Sequence, residues 1–124
     1  MNNKGFSLIE IVASLLILAV GLLAVVAMQI SSVRGNSFSG EMTQASVFAQ
    51  DRLESLRTLE PSDAGFAAAM SLGLHNDGTI AGTAFSRQYT VASNPGTTML
   101  TITVTVSWND GVNHNVSFST VRAL

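Results

Sequence analysis

The 124-residue sequence contains no cysteine, one lysine and two prolines, and only 11% of its residues are charged. Without cysteine there is no disulfide, no thiolate zinc site and no cysteine nucleophile, and the compartment is not legible from thiols. An extracytoplasmic domain of this kind is held by its own core or by its neighbours. Six basic and eight acidic residues leave a net charge of −2, and the only lysine is Lys4. A nucleic-acid surface wants a basic stripe, so the scattered arginines disfavour that partner. Catalytic signatures are missing as well: there is no Gly-x-Ser-x-Gly elbow, no His-Glu-x-x-His pair and no phosphate loop. The expectation is a chain that is not an enzyme, with no cofactor and no metal.

What the sequence has in abundance is one apolar run. From Phe6 to Ile30, all residues but Ser7, Glu10, Ser14, Gly21 and Gln29 are apolar. The rest of the chain has an ordinary soluble composition, so the length fits one small domain plus an anchor. The run exceeds the ~20 apolar residues that cross a bilayer as a helix. A secretory signal would have a shorter apolar region, about 7–15 residues. Lys4 and the amino terminus favour an orientation with the N-terminus inside. Between Gly5 and Val33 the single charged residue is Glu10. A carboxylate in a lipid-facing helix costs roughly 2.5 kcal/mol or more. Glu10 therefore either snorkels to the headgroups or waits for a cation supplied by another subunit.

The block Lys4-Gly5-Phe6-Ser7-Leu8-Ile9-Glu10, followed by the apolar run, resembles the class III leader of type IV pilins and type II secretion pseudopilins. That resemblance covers Met1 to about Ile30. It implies a leader peptide at 1–5, cut by a membrane-embedded prepilin peptidase between Gly5 and Phe6, and N-methylation at Phe6. It implies that Glu10 pairs with the Phe6 amine of a neighbouring subunit during assembly. The partners so implied are prepilin peptidase, other pilin subunits, the inner-membrane assembly platform and membrane lipid. The implied location is the bacterial inner membrane, single-pass, with the head in the periplasm, and then a filament. Many major pilins carry a proline near what is here Ala27, and this chain has none. The lack of cysteine removes the C-terminal disulfide of many pilins. A short head and the phrase Gly21-Leu22-Leu23-Ala24 look like the minor pilins of the pilus-priming group. A minor pilin is thus the preferred reading. The alternatives are a pseudopilin, or a pilus-tip or competence subunit whose head binds a ligand.

Beyond the apolar segment (6–30), residues 31–60 read as a helix continuation. Gly35-Asn36-Ser37-Phe38-Ser39-Gly40 is poor in helix formers, which predicts a kink or local break over 35–40, the alternative being a continuous helix held by tertiary context. Phe38, Met42, Ala45, Ala49, Leu53, Leu56 and Leu59 recur at steps of three or four, and Phe48 broadens this stripe. Pro61 stops the helix. Residues 61–124 form the head. A short helix is expected through Phe66–Met70, capped by Ser62 or Asp63, and the glycines at 73, 78 and 82 read as loop. His75 in His75-Asn76-Asp77-Gly78 is taken as part of a solvated turn rather than a ligand, having no matched second ligand.

The last third reads as β-structure. Phe85, Arg87, Tyr89 and Val91 alternate with polar residues, and Asn94-Pro95-Gly96 is a turn. Leu100, Ile102, Val104, Val106 and Trp108 alternate with Thr and Ser, the pattern of a half-buried strand. A final strand spans 112–121. A three-residue Asn109-Asp110-Gly111 loop would set Trp108 against Val112, Val104 against Val116 and Ile102 against Phe118, pairing apolar with apolar. A two-residue loop would set Val104 and Ile102 against serines. His114 then faces Val106 as an edge-of-core residue. The fold class expected is α+β: a long N-terminal helix, half transmembrane and half amphipathic, packed on a small antiparallel sheet of about three strands.

Overall fold

The computed structural model describes residues 5–124. Residues 1–4 of the expected leader, with Lys4, lie outside the described residues. The elements are helix α1 (Leu8–Thr58), helix α2 (Phe66–Ala69) and strands β1 (Gly73–Thr79), β2 (Ser86–Ser93), β3 (Met99–Asn109) and β4 (Asn113–Ala123). The chain divides into two compact units, Met1–Ser39 and Gly40–Leu124, and α1 contributes to both.

The first unit is helical from Leu8, and the apolar side chains of its described residues are exposed. The most apolar 18-residue window of α1 has a mean hydropathy of 2.9, and none of it is buried. Helix is the conformation such a segment needs in lipid, because it satisfies every backbone polar group within the segment. The helical conformation also continues through residues 35–40, where the sequence predicts a local break. Helix propensity at Gly35 and Gly40 is a weak local bias, and cooperative hydrogen bonding from both flanks overrides it. The Ser39 hydroxyl accommodates itself to the helix by donating to the Gly35 carbonyl at 2.9 Å.

In the second unit, the last turns of α1 share a core with the sheet. Ala45, Ala49 and Leu56 are buried together with Met70, Phe85, Tyr89, Val91, Leu100, Ile102, Val104, Val106 and Trp108. Phe48, Leu53 and Leu59 are partly buried against this core. The helical stripe read from sequence is therefore real but ends early, since Met42 is exposed. Trp108 donates its indole N–H to Glu41 at 3.0 Å, closing that end of the core with a hydrogen bond. α1 stops at Thr58, because Pro61 biases Glu60 away from helix.

The sheet is a four-stranded antiparallel meander in the order β1-β2-β3-β4. It has one strand more than the sequence suggests. β1, Gly-Leu-His-Asn-Asp-Gly-Thr, is written in turn-forming residues and reads as loop. It exists because its backbone groups pair with β2, from Gly73 opposite Val91 to Thr79 opposite Ser86. A bulge between Asn76 and Gly78 sets Asp77 off the ladder. From there Asp77 forms ion pairs with Arg52 at 2.8 Å and Arg87 at 3.1 Å, joining α1, β1 and β2.

β3 alternates as read, burying Leu100, Ile102, Val104, Val106 and Trp108. Its pairing with β4 corrects the expected register. Val104 lies opposite Phe118, Val106 opposite Val116, Ile102 opposite Thr120 and Trp108 opposite His114. The loop is three residues long but consists of Asp110-Gly111-Val112, so the register shifts by two and keeps the same face inward. Amide chemistry makes this choice. Asn109 and Asn113 face each other with Nδ2 donating to Oδ1 at 2.6 Å, and Asn109 Oδ1 accepts the Gly111 N–H at 2.7 Å. Gly111 has φ +110°, a backbone state glycine adopts without strain. Val112, expected inside against Trp108, is exposed in the loop.

The short helix α2 also starts otherwise than expected. Its N-cap is Gly65 with no side-chain cap, and Asp63 instead accepts the Glu60 N–H at 2.8 Å.

Candidate functional site

The segment that carries the expected processing and assembly chemistry begins outside the helix. Gly5, Phe6 and Ser7 are non-helical and exposed, with Phe6 81% exposed. Side-chain chemistry sets the helix start at Leu8. The Glu10 N–H donates to Ser7 Oγ at 3.3 Å, and the Ser7 N–H donates to Glu10 Oε2 at 3.4 Å. This reciprocal pair is a capping box, in which two orphan helix-start donors are satisfied by the side chains at the cap and three residues on. The Ser7 carbonyl then accepts from the N–H groups of Glu10 at 3.1 Å and Ile11 at 3.2 Å, opening the helical ladder. An acid in the first turn also complements the helix dipole.

The sequence reading singled out Glu10 and passed over Ser7. The signal was present as Ser-x-x-Glu directly before an apolar run.

Glu10 lies on an apolar helix face with Ile11, Ser14, Leu15 and Leu18, and with Phe6 ahead of the helix these residues line a shallow surface groove. Ser14 donates its hydroxyl to the Glu10 carbonyl at 2.9 Å. A carboxylate in this setting can accept a hydrogen bond or take a cation, and residues 6–33 offer no cation of their own. At Gly5 an added Cβ meets nothing within 4 Å. No steric need for glycine therefore arises within the described chain.

The other candidates from sequence have local structural partners. His75 stacks on Tyr89 with ring centroids 4.5 Å apart and planes at 5°. Its Nε2 donates to the Ser71 carbonyl at 2.8 Å, which fixes the tautomer. His114 Nε2 lies 2.9 Å from Asp110 Oδ1 at the β3–β4 turn. At Asp110, desolvation pushes the pKa up, but the Val112 N–H and His114 outweigh it and hold the carboxyl below its usual value. Among the described residues no three His, Asp or Glu side chains group as metal ligands.

A family model described as the prokaryotic N-terminal methylation motif matches residues 1–26. No curated protein and no solved structure matches the chain. The matched stretch ends within the exposed apolar part of α1 and takes in Gly5, Phe6, Ser7 and Glu10. The chain thus carries the prokaryotic N-terminal methylation motif over residues 1–26, which supports its resemblance to a type IV pilin-like prepilin.

Proposed function

We propose that the chain is a minor pilin-like structural subunit of a type IV pilus. Prepilin peptidase cuts it between Gly5 and Phe6 and methylates the new amino group of Phe6. The apolar helix then leaves the bilayer and packs among the helices of other pilin subunits. The observation that carries this reading is the methylation motif over residues 1–26. It coincides with the N-terminal part of α1, whose apolar side chains are exposed among the described residues.

Before assembly the helix crosses the inner membrane once with the N-terminus inside, and unit Gly40–Leu124 lies in the periplasm. The assembly platform and membrane lipid are its partners at that stage. The open space around Gly5 supports a requirement that comes from the peptidase, since the fold itself makes none. Glu10 takes the Phe6 amine of a neighbouring subunit, so two charges that are each costly in an apolar filament core offset one another. A head that holds itself together without a disulfide supports the minor-subunit reading.

The test is Glu10→Ala expressed beside the assembly machinery. The variant inserts in the membrane at least as well as wild type but is missing from sheared filaments. Incorporation at the wild-type level would mean that Glu10 only snorkels. Wild-type chain recovered in secretion pseudopili and never in pili would move the assignment to a secretion system.

A further inference from the structure

We infer that Ser7 is a positioning residue for leader cleavage: its capping box with Glu10 stops the helix short of the Gly5–Phe6 bond and keeps that bond in open, non-helical chain. This rests on the proposed reading that Gly5–Phe6 is the bond cut.

Three observations carry it. Gly5, Phe6 and Ser7 lack helical conformation, while every residue from Leu8 through Thr58 has it. The boundary between the two states is held by the two side-chain hydrogen bonds of Ser7 and Glu10. Phe6 is 81% exposed and an added Cβ at Gly5 meets nothing within 4 Å, so no described residue covers the bond at these two positions.

A peptide bond inside a helix has its carbonyl engaged and its flanks wound around the axis, and an enzyme must unwind it before attack. A strongly helical apolar run so close to the cut would extend that way unless stopped. Removing the Ser7 hydroxyl frees the helix to extend toward the leader and to take the scissile bond into its first turn. Glu10 then has two successive roles. Its carboxylate first accepts the Ser7 N–H in the uncut chain, and afterwards takes the amine that cleavage creates.

The experiment follows cleavage of the full-length chain by purified prepilin peptidase in proteoliposomes. Cα chemical shifts of Gly5 and Phe6 are recorded on the same chains in micelles. Ser7→Ala and Glu10→Ala break the box and are cut about fivefold more slowly, with Gly5 and Phe6 moving toward helical shifts. Ser7→Thr keeps the hydroxyl, and Glu10→Gln keeps the acceptor while removing the charge; both are cut at the wild-type rate. Equal or faster cleavage of Ser7→Ala, with wild type cut normally, overturns the role of Ser7 and leaves the prepilin reading standing. A slow Glu10→Gln overturns it too, because charge rather than the cap would then set the rate. Wild-type chain left uncut at Gly5 overturns both readings together.

Discussion

Arg122, near the end of β4, reaches across to the last turn of α1. Its Nη1 donates to the carbonyls of Leu56 at 2.7 Å and Arg57 at 3.0 Å, and its Nη2 to that of Leu59. These carbonyls have no partner further along the helix, so a cation there both caps them and complements the helix dipole. The guanidinium also lies 5.1 Å over the Phe66 ring. Arg122→Ala is expected to destabilise the head by about 1–2 kcal/mol. Arg122→Lys does not restore it, because a point charge cannot serve several carbonyls as a planar fork does. The single tryptophan, buried Trp108, reports this by fluorescence during a thermal melt in detergent. An unchanged melt would show that the bonds to α1 contribute nothing. Tyr89 supplies a pH test. Burial pushes its pKa above the usual value near 10; Arg52 pulls it down, Asp77 adds to the rise, and burial prevails. The folded state therefore holds this proton more tightly than the unfolded state. Its contribution is full below pH ~10 and is lost as pH rises through the elevated folded value. Tyr89→Phe, which gives up the 3.3 Å bond to the Ala69 carbonyl, flattens that alkaline decline in melting temperature. A wild-type-like decline in Tyr89→Phe would assign the effect to another group.

Elements show where the sequence was readable and where it was not. β3 was legible because strict alternation of aliphatic residues with Thr and Ser has one physical solution, a strand with one buried face. β1 was not legible, since Gly73, Asn76, Asp77 and Gly78 carry the chemistry of turns. Only pairing with β2 and the Asp77 ion pairs explain it. The β3–β4 register was half legible. The buried face followed from alternation, but the Asn109–Asn113 pair that sets the loop gives no hydropathy signal. At the N-terminus, the Gly5, Phe6 and Glu10 pattern was visible as a motif, and Ser7 was missed because its role is local hydrogen bonding rather than charge or apolarity. Over residues 35–40, local propensity suggested a kink or break against the alternative of a continuous helix, and α1 runs helical through them. This makes Gly35 a place where stability is left unused. An added Cβ there meets nothing within 4 Å, so Gly35→Ala is expected to stabilise α1 by up to about 1 kcal/mol. The gain is read as a rise in helical circular dichroism at high temperature. A loss of helix on that substitution would show that a glycine-specific bend is needed there.

At the scale of the whole molecule, the two units differ in how their surfaces are satisfied. Unit Gly40–Leu124 buries its own core and engages its arginines internally, with Arg52 and Arg87 on Asp77 and Arg122 on helix carbonyls. Among the described residues of unit Met1–Ser39, the apolar side chains are all exposed. Such a surface is stable only in lipid or against other helices, and those are the two environments that the proposed pilin-like role supplies in turn. In the proposed reading, removal of the leader creates the amine that Glu10 meets. The most direct measurement is therefore the mass of the mature chain purified from cells with active prepilin peptidase. The account predicts a chain that begins at Phe6 and carries one methyl group on its amino terminus. A chain that still begins at Met1 under those conditions would contradict it.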